Sequence, residues 1–311
     1  MAGNEQRIVV GVDGSAGARL ALSWGLAEAV RRGADVEVLA AFPVDFYWTD
    51  AYLVDRNQID DLRADTETRA RALVDELRSQ VVGAGDLAVD VVVCAGAPAA
   101  HLVRQAEDAD LLVVGSRGRG AVRSSMAGSV ALHCAAHARC PVVVVHPTSA
   151  GAAEPGHVVV GLDDSDHARA ALTVAVAEAA ALGAEVEAVL AYEPPNYWSD
   201  LYAVVAPSVG ETAEHAQRRG EAIVGEVLGA EPATAVRVVA VEGHPAQVLM
   251  HRAEGARLLV LGSRSRNQLE GVVLGSVALH AVMHAPCPVL VVHPPRTAQP
   301  DRARETAATV G

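Results

Sequence analysis

The chain has 311 residues, a formal net charge of −13, 51% apolar residues and only 3% aromatic ones. All 25 of its basic residues are arginine, which excludes a Walker A lysine, a Schiff base and lysine-bound pyridoxal phosphate, while the acidic balance argues against a nucleic-acid binder. No run of about 18 apolar residues exists, so no membrane insertion is expected.

Taken in order, Arg7 to Asp13 (RIVVGVD) reads as a strand ending in an acidic residue, and Ser15 offers an N-cap to a helix from about Ala16 to Arg32, closed by Gly33. A second strand spans Val36 to Ala41, followed by an aromatic loop, PVDFYWTDAY, and a charged helix from about Gln58 to Val82. Strand three is Leu87 to Cys94, a short helix runs from Pro98 to Glu107, and strand four is Leu111 to Val114. A helix from about Gly128 to Ala138 then leads to CPVVVVHP, strand five. Strands of Val alternating with Ala/Leu helices predict a parallel sheet covered on both faces. The N-terminus enters its first strand without an export signal, and the four cysteines (Cys94, Cys134, Cys140, Cys287) read as reduced core fillers, so a cytoplasmic location is expected.

The second half repeats the first at an offset of about 150 residues, the mark of a duplicated domain. GHVVVGLDDS at 156–165 matches RIVVGVDGS, AYEPPNYWSD at 191–200 matches AFPVDFYWTD, and CPVLVVHP at 287–294 matches CPVVVVHP. The expected boundaries are 1–147 and 157–295, with a flexible linker at 148–156 and a tail at 296–311.

Between strand four and the next helix lies GSRGRGAVRSSMAGS, residues 115–129. Glycines at a strand-to-helix turn let backbone N–H groups approach an anion, and the helix start favours negative charge. Arg117, Arg119 and Arg123 concentrate positive charge in an acidic protein. The partner copy, LLVLGSRSRNQLEGVVLGSVALH at 258–280, repeats the pattern, and both sit beyond the carboxyl ends of strands, where open α/β sheets bind ligands.

The spacing Gly115-x2-Gly118-x9-Gly128-Ser129, the strand-one Asp13, the aromatic loop and the closing CPVVVVHP resemble the universal stress protein family, over residues 7–147 and again 157–294. The tandem arrangement is similar to two-domain members common in actinobacteria. The resemblance implies two flavodoxin-like (Rossmann-like) α/β domains, each a five-stranded parallel sheet in order 3-2-1-4-5, that bind ATP, with Mg2+, without dedicated catalysis. Carried over, it places Gly11 and Val12 near the nucleotide, Asp13 at the ribose or metal side, and Ala41 near the adenine. Gly115, Ser116, Arg117, Gly118, Arg119, Gly120 and Ala121 would wrap the phosphates, with Arg123 as a charge partner and Gly128 and Ser129 at the helix start. A weaker second site would use Gly161, Leu162, Asp163, Ala191, Gly262, Ser263, Arg264, Ser265, Arg266, Gly275 and Ser276. It departs from the pattern in two places: Ser265 replaces Gly118, so that if Gly118 has positive φ the exchange is strained or the loop reshapes, and Asp164 replaces Gly14, adding a carboxylate that repels phosphate unless a cation bridges it. The implied role is a stress-responsive regulator that senses or sequesters ATP and changes conformation or an unidentified protein partner.

Rival readings are narrower. The first βα turn, GVDGSAGA, lacks G-x-G-x-x-G, against a nicotinamide enzyme, and no nucleophile–base pair marks a hydrolase, although slow ATP hydrolysis through a metal-bound water stays open. His133/His137 and His280/His284 form i, i+4 pairs without a third ligand at a telling spacing, which favours packing over metal binding. Tyr47-Trp48 and Tyr197-Trp198 read as a lid or as packing. A homodimer is expected, and a nucleotide-free dimerising scaffold is the remaining alternative, since strand five of both copies is apolar enough to pair across a subunit edge.

Overall fold

The computed structural model describes residues 6–42, 56–118, 128–147, 156–193, 209–229, 232–264 and 273–294. The first half runs β1 (Arg7–Val12), α1 (Ala16–Arg32), β2 (Asp35–Phe42), α2 (Arg56–Gln80), β3 (Val89–Ala95), α3 (Pro98–Gln105), β4 (Leu111–Gly115), α4 (Ser129–His137) and β5 (Val142–Val145). The second runs β6 (Val158–Gly161), α5 (Asp166–Leu182), β7 (Val186–Tyr192), α6 (Val209–Leu228), β8 (Val236–Glu242), α7 (Pro245–Arg252), β9 (Leu258–Gly262), α8 (Ser276–His284) and β10 (Val289–Val292). The aromatic loops, with Tyr47, Trp48, Tyr197 and Trp198, lie outside the described residues, as do 148–155 of the expected linker and the whole tail.

Local chemistry explains the boundaries. Ser15 caps α1 by accepting from the Ala18 N–H, and Gly33 ends it in the left-handed region at φ 65°, where a Cβ would be strained. β3 starts at Val89 rather than Leu87, because Gly83, also left-handed, leads into a 3-10 turn at Ala84–Asp86 whose exit is closed by Leu87 N–H to Ala84 O. Alternation along β1 sends Ile8, Val10 and Val12 to one face, with Leu22 and Leu26 of α1, and Val9 to the other, with Leu102 of α3 and Ala135 of α4. The same division holds in the second half, so α1, α2, α5 and α6 cover one face and α3, α4, α7 and α8 the other.

Each half has strand order 3-2-1-4-5, and the two are fused into one ten-stranded sheet, β3-β2-β1-β4-β5-β10-β9-β6-β7-β8. Pairing is parallel within each half; at the seam β10 runs antiparallel to β5, with Val289, Leu290 and Val291 opposite Val144, Val143 and Val142. This corrects the expectation that strand five pairs across a subunit edge: the two copies of that edge satisfy each other inside one chain. Antiparallel pairing also places the carboxyl ends of the two half-sheets at opposite ends of the molecule.

An ion-pair clasp reinforces the seam. Glu28 of α1 and Glu178 of α5, at equivalent positions of the repeat, are only 4% and 8% exposed. Both carboxylates accept from Arg31 and Arg32. Each half thus supplies one acid and the first half alone supplies both arginines, since Ala181 and Leu182 stand at the matching positions.

Candidate functional site

The candidate site of the first half forms where β1 and β4 end side by side, at the point where the strand order reverses. Asp13 follows β1 directly and its Oδ1 accepts from the Ser15 N–H at 2.9 Å, a tight turn made possible by Gly14 at φ 77°. β4 ends at Gly115, which passes so close to the first turn of α1 that a Cβ there would stand 2.6 Å from the Gly17 carbonyl. Ser116 is buried; its N–H donates to the Val145 carbonyl of β5 at 2.8 Å, and its own carbonyl accepts from the Gly128 N–H at 2.8 Å. That second bond closes the glycine loop at its neck and sets the start of α4 against the end of β4. Gly128 caps α4 and has no side chain to accept from the leading N–H groups of the helix.

Gly118 has no positive φ, so the strain argument for glycine does not apply there. Its role is steric: a Cβ at Gly118 would lie 2.5 Å from Asp13 Oδ2. Arg117 is exposed, and its carbonyl accepts from the Ser15 hydroxyl at 3.4 Å. Gly11 and Val12 belong to β1; the missing side chain of Gly11 makes room for Leu102, and Val12 is buried in the core. Ala41 lies in β2, paired with Cys94 of β3. Ser129 is exposed as the first residue of α4. Arg119, Gly120, Ala121 and Arg123 lie outside the described residues.

The second half repeats the frame. The Asp163 carboxylate accepts from the Ser165 N–H at 2.9 Å, the Ser263 N–H donates to the Val292 carbonyl at 2.9 Å, and the Gly275 N–H donates to the Ser263 carbonyl at 2.7 Å. Gly275 caps α8 without a side-chain bond, with Ser276 next; Gly161 makes room for Leu249 and Leu261, Leu162 is buried, and Ala191 lies in β7. Arg264 is exposed; Ser265 and Arg266 lie outside the described residues. The added carboxylate of Asp164 is paired with Arg219 of α6.

One pair of residues escaped the sequence reading. Gly17 lies so close to the loop that a Cβ would be 2.2 Å from the Arg117 carbonyl oxygen, yet the matching position in α5 is His167, whose Cβ is 2.7 Å from the position of a Cβ on Gly262. The signal was present as a mismatch between GSAGARLAL and DSDHARAAL, two otherwise parallel segments. Burial holds the His167 imidazole below its ordinary value and Arg264 pushes the same way, opposed by Asp166 and Asp163. In both halves the histidine after strand five stands beside the loop arginine. His146 is 4% exposed; its Nε2–H donates to the Val282 carbonyl of α8 at 3.0 Å, and burial, aided by Arg117, lowers its pKa. For His293 burial is again the main cause, and His167 and Arg264 push it further down.

The other marked residues have structural surroundings. Cys134, Cys140 and Cys287 are buried, and burial pushes their thiols up to about 12, 11 and 12. The His133/His137 rings stack at 4.2 Å and those of His280/His284 lie 4.5 Å apart; among the described residues no group of three metal-ligating side chains forms. Among the described residues, no helix is long and apolar enough to cross a membrane.

Comparison with known proteins agrees with this frame. The chain is 33% identical over 293 residues to the universal stress protein Rv2005c of Mycobacterium tuberculosis, covering 91% of this chain and 96% of that one. It is 30% identical over 299 residues to a universal stress protein of Mycolicibacterium smegmatis, covering 93% and 98%. The crystal structure of a universal stress protein from Archaeoglobus fulgidus superposes with a TM-score of 0.65 at 20% identity, over 93% of this chain and 99% of that one, which shows a shared fold. The sequence profile of the universal stress protein family matches twice, at residues 5–146 and 155–293, and the chain therefore belongs to that family as a tandem, two-domain member.

Proposed function

We propose that the first half binds ATP, as its Mg2+ complex, and that the protein acts in the cytoplasm as a stress-responsive regulator whose conformation or protein partner changes with nucleotide occupancy, rather than as a dedicated catalyst. The observation that carries this reading is the neck of the glycine loop. There the Ser116 carbonyl holds Gly128 and the start of α4 at the switch point, and the lack of a side chain at Gly118 lets the loop pass close to Asp13. Phosphate oxygens suit the helix start, where each contact is worth about 0.3–1 kcal/mol, and a divalent cation suits a carboxylate facing a phosphate. Several such contacts together are needed for useful affinity, so residues 115–118 and 128–129 act as a unit. Binding that orders the loop shifts the population of states, which is the physical basis of a regulatory role.

The second half keeps the neck but carries His167 in place of Gly17, which supports weaker binding there. The test is calorimetric titration of Mg·ATP into chain shown to be free of carried-over nucleotide, and into Gly118→Glu. The variant sets a carboxylate against Asp13, so the expected result is loss of the tighter site with the fold intact by circular dichroism. Absence of binding to nucleotide-free wild type would sink the reading. Phosphate release measured in the same samples separates binding from hydrolysis.

A further inference from the structure

The sheet face that carries α1 and α5 has an opening that neither switch-point crevice uses. A cleft of about 300 Å³ lies between the two helices at the seam, over the start of β9 and the residue preceding β10. Trp24, Leu182, Leu258 and Pro288 form its apolar wall; Arg31 and Arg257 stand in its charged wall beside Glu28 and Glu178. Within the lining two guanidinium groups face two carboxylates, and Arg32, just outside it, draws on the same two carboxylates. The two carboxylates are shared by Arg31 and Arg32, while the Arg257 Nη1 donates to a neutral acceptor, the Leu182 carbonyl, at 3.3 Å. Three guanidinium groups therefore meet two carboxylates.

A second observation points the same way. The Nη1 of Arg31 is buried and has no hydrogen-bond partner, a costly state for a charged donor. Burial holds the Arg31 guanidinium below its usual value, and both Arg32 and Arg257 push it further down against the pull of Glu178. An added anion would relieve this local excess of positive charge.

We propose that the cleft is a ligand site for a small organic monocarboxylate, its carboxylate held by Arg257, whose guanidinium meets only a neutral acceptor, and its apolar body laid against Trp24, Leu182 and Pro288. The net excess is one positive charge, which a single carboxylate neutralises; a phosphate dianion would overshoot and face Glu28 and Glu178. Guanidinium forks match carboxylate geometry, and an apolar wall beside a small number of placed charged groups is the make-up of a small-molecule pocket. The site is independent of the nucleotide reading, because none of these residues belongs to either glycine loop.

The experiment uses the full chain carrying Trp48→Phe and Trp198→Phe, which leaves Trp24 as its one tryptophan. Benzoate is titrated while Trp24 emission and heat are recorded. The expected result is saturable one-to-one binding, weakened about tenfold or more in Arg257→Gln, which removes one cation. Ala27→Asp, at an exposed position on the cleft wall, adds a repelling carboxylate and is expected to weaken binding as well, so a folding defect in the first variant does not decide the matter. No saturable signal, unchanged affinity in both variants, equal binding of inorganic phosphate, or competitive displacement by Mg·ATP would each overturn the assignment.

Discussion

The two halves share a backbone frame and differ in what faces the opening. Ser116 and Ser263 make the same pair of main-chain hydrogen bonds, and Gly115 and Gly262 both press against the first helical turn after strand one. Around that frame, Gly17 and Gly14 of the first half become His167 and Asp164 of the second. The frame is held by main-chain geometry, which a duplicated sequence keeps as long as each half must fold. Side chains at the rim carry no such duty, so they are where the copies drift apart in chemistry.

The strongest way to break the comparison is at the seam, where the halves depend on each other. Glu178→Ala removes a carboxylate that Arg31 and Arg32 both use and leaves their charge poorly compensated. Unfolding free energy, read by urea denaturation, is expected to fall by about 2–4 kcal/mol, less than for a fully buried pair because the arginine side chains keep some exposure. An unmoved midpoint would show that the clasp contributes nothing.

Next in size is the exchange of the rim residue. Gly17→His forces the Arg117 carbonyl away from α1, and the first half is expected to lose more than about tenfold in Mg·ATP affinity by calorimetry. The reverse change, His167→Gly, is expected to tighten the second half. If neither titration moves, the difference at this position does not rank the sites.

A smaller effect follows acid. His146, His167 and His293 all have lowered pKa values, with burial as the main cause, so below the ordinary imidazole value of 6.5 the unfolded chain binds more protons than the folded one. Their stabilisation is complete above 6.5 and is lost as the pH falls toward the folded values. The melting temperature is expected to drop between about pH 7.5 and about pH 5.5, and His146→Gln to flatten the profile. An equally steep profile in the variant would assign the acid sensitivity elsewhere. Smallest of all is Asp164→Gly, which removes an exposed pair with Arg219: thermal stability stays the same, and second-site affinity changes by less than about tenfold. A larger change would mean that Asp164 acts on the ligand directly.

Much of this architecture was legible in the sequence, for definable reasons. The limits of α1 follow from Ser15 and Gly33, whose capping chemistry is local; the strand order within each half came from the family resemblance, and the repeat showed only that the two halves share one pattern. Four consecutive valines announced that β5 is buried on both faces, but not which strand would lie beside it, because pairing partners are a long-range property. The reason for glycine at position 118 was also hidden. It depends on where Asp13 sits, about a hundred residues away in the chain. The burial of Glu28 and Glu178 could not be read from helices whose pattern suits a solvated acidic face, since their desolvation depends on how α1 and α5 meet.

The antiparallel seam has one more consequence. Because the half-sheets run in opposite directions, their switch-point crevices open at opposite ends of one sheet. Each neck is closed by main-chain hydrogen bonds of its own half alone, Ser116 with Val145 and Gly128 at one end and Ser263 with Val292 and Gly275 at the other.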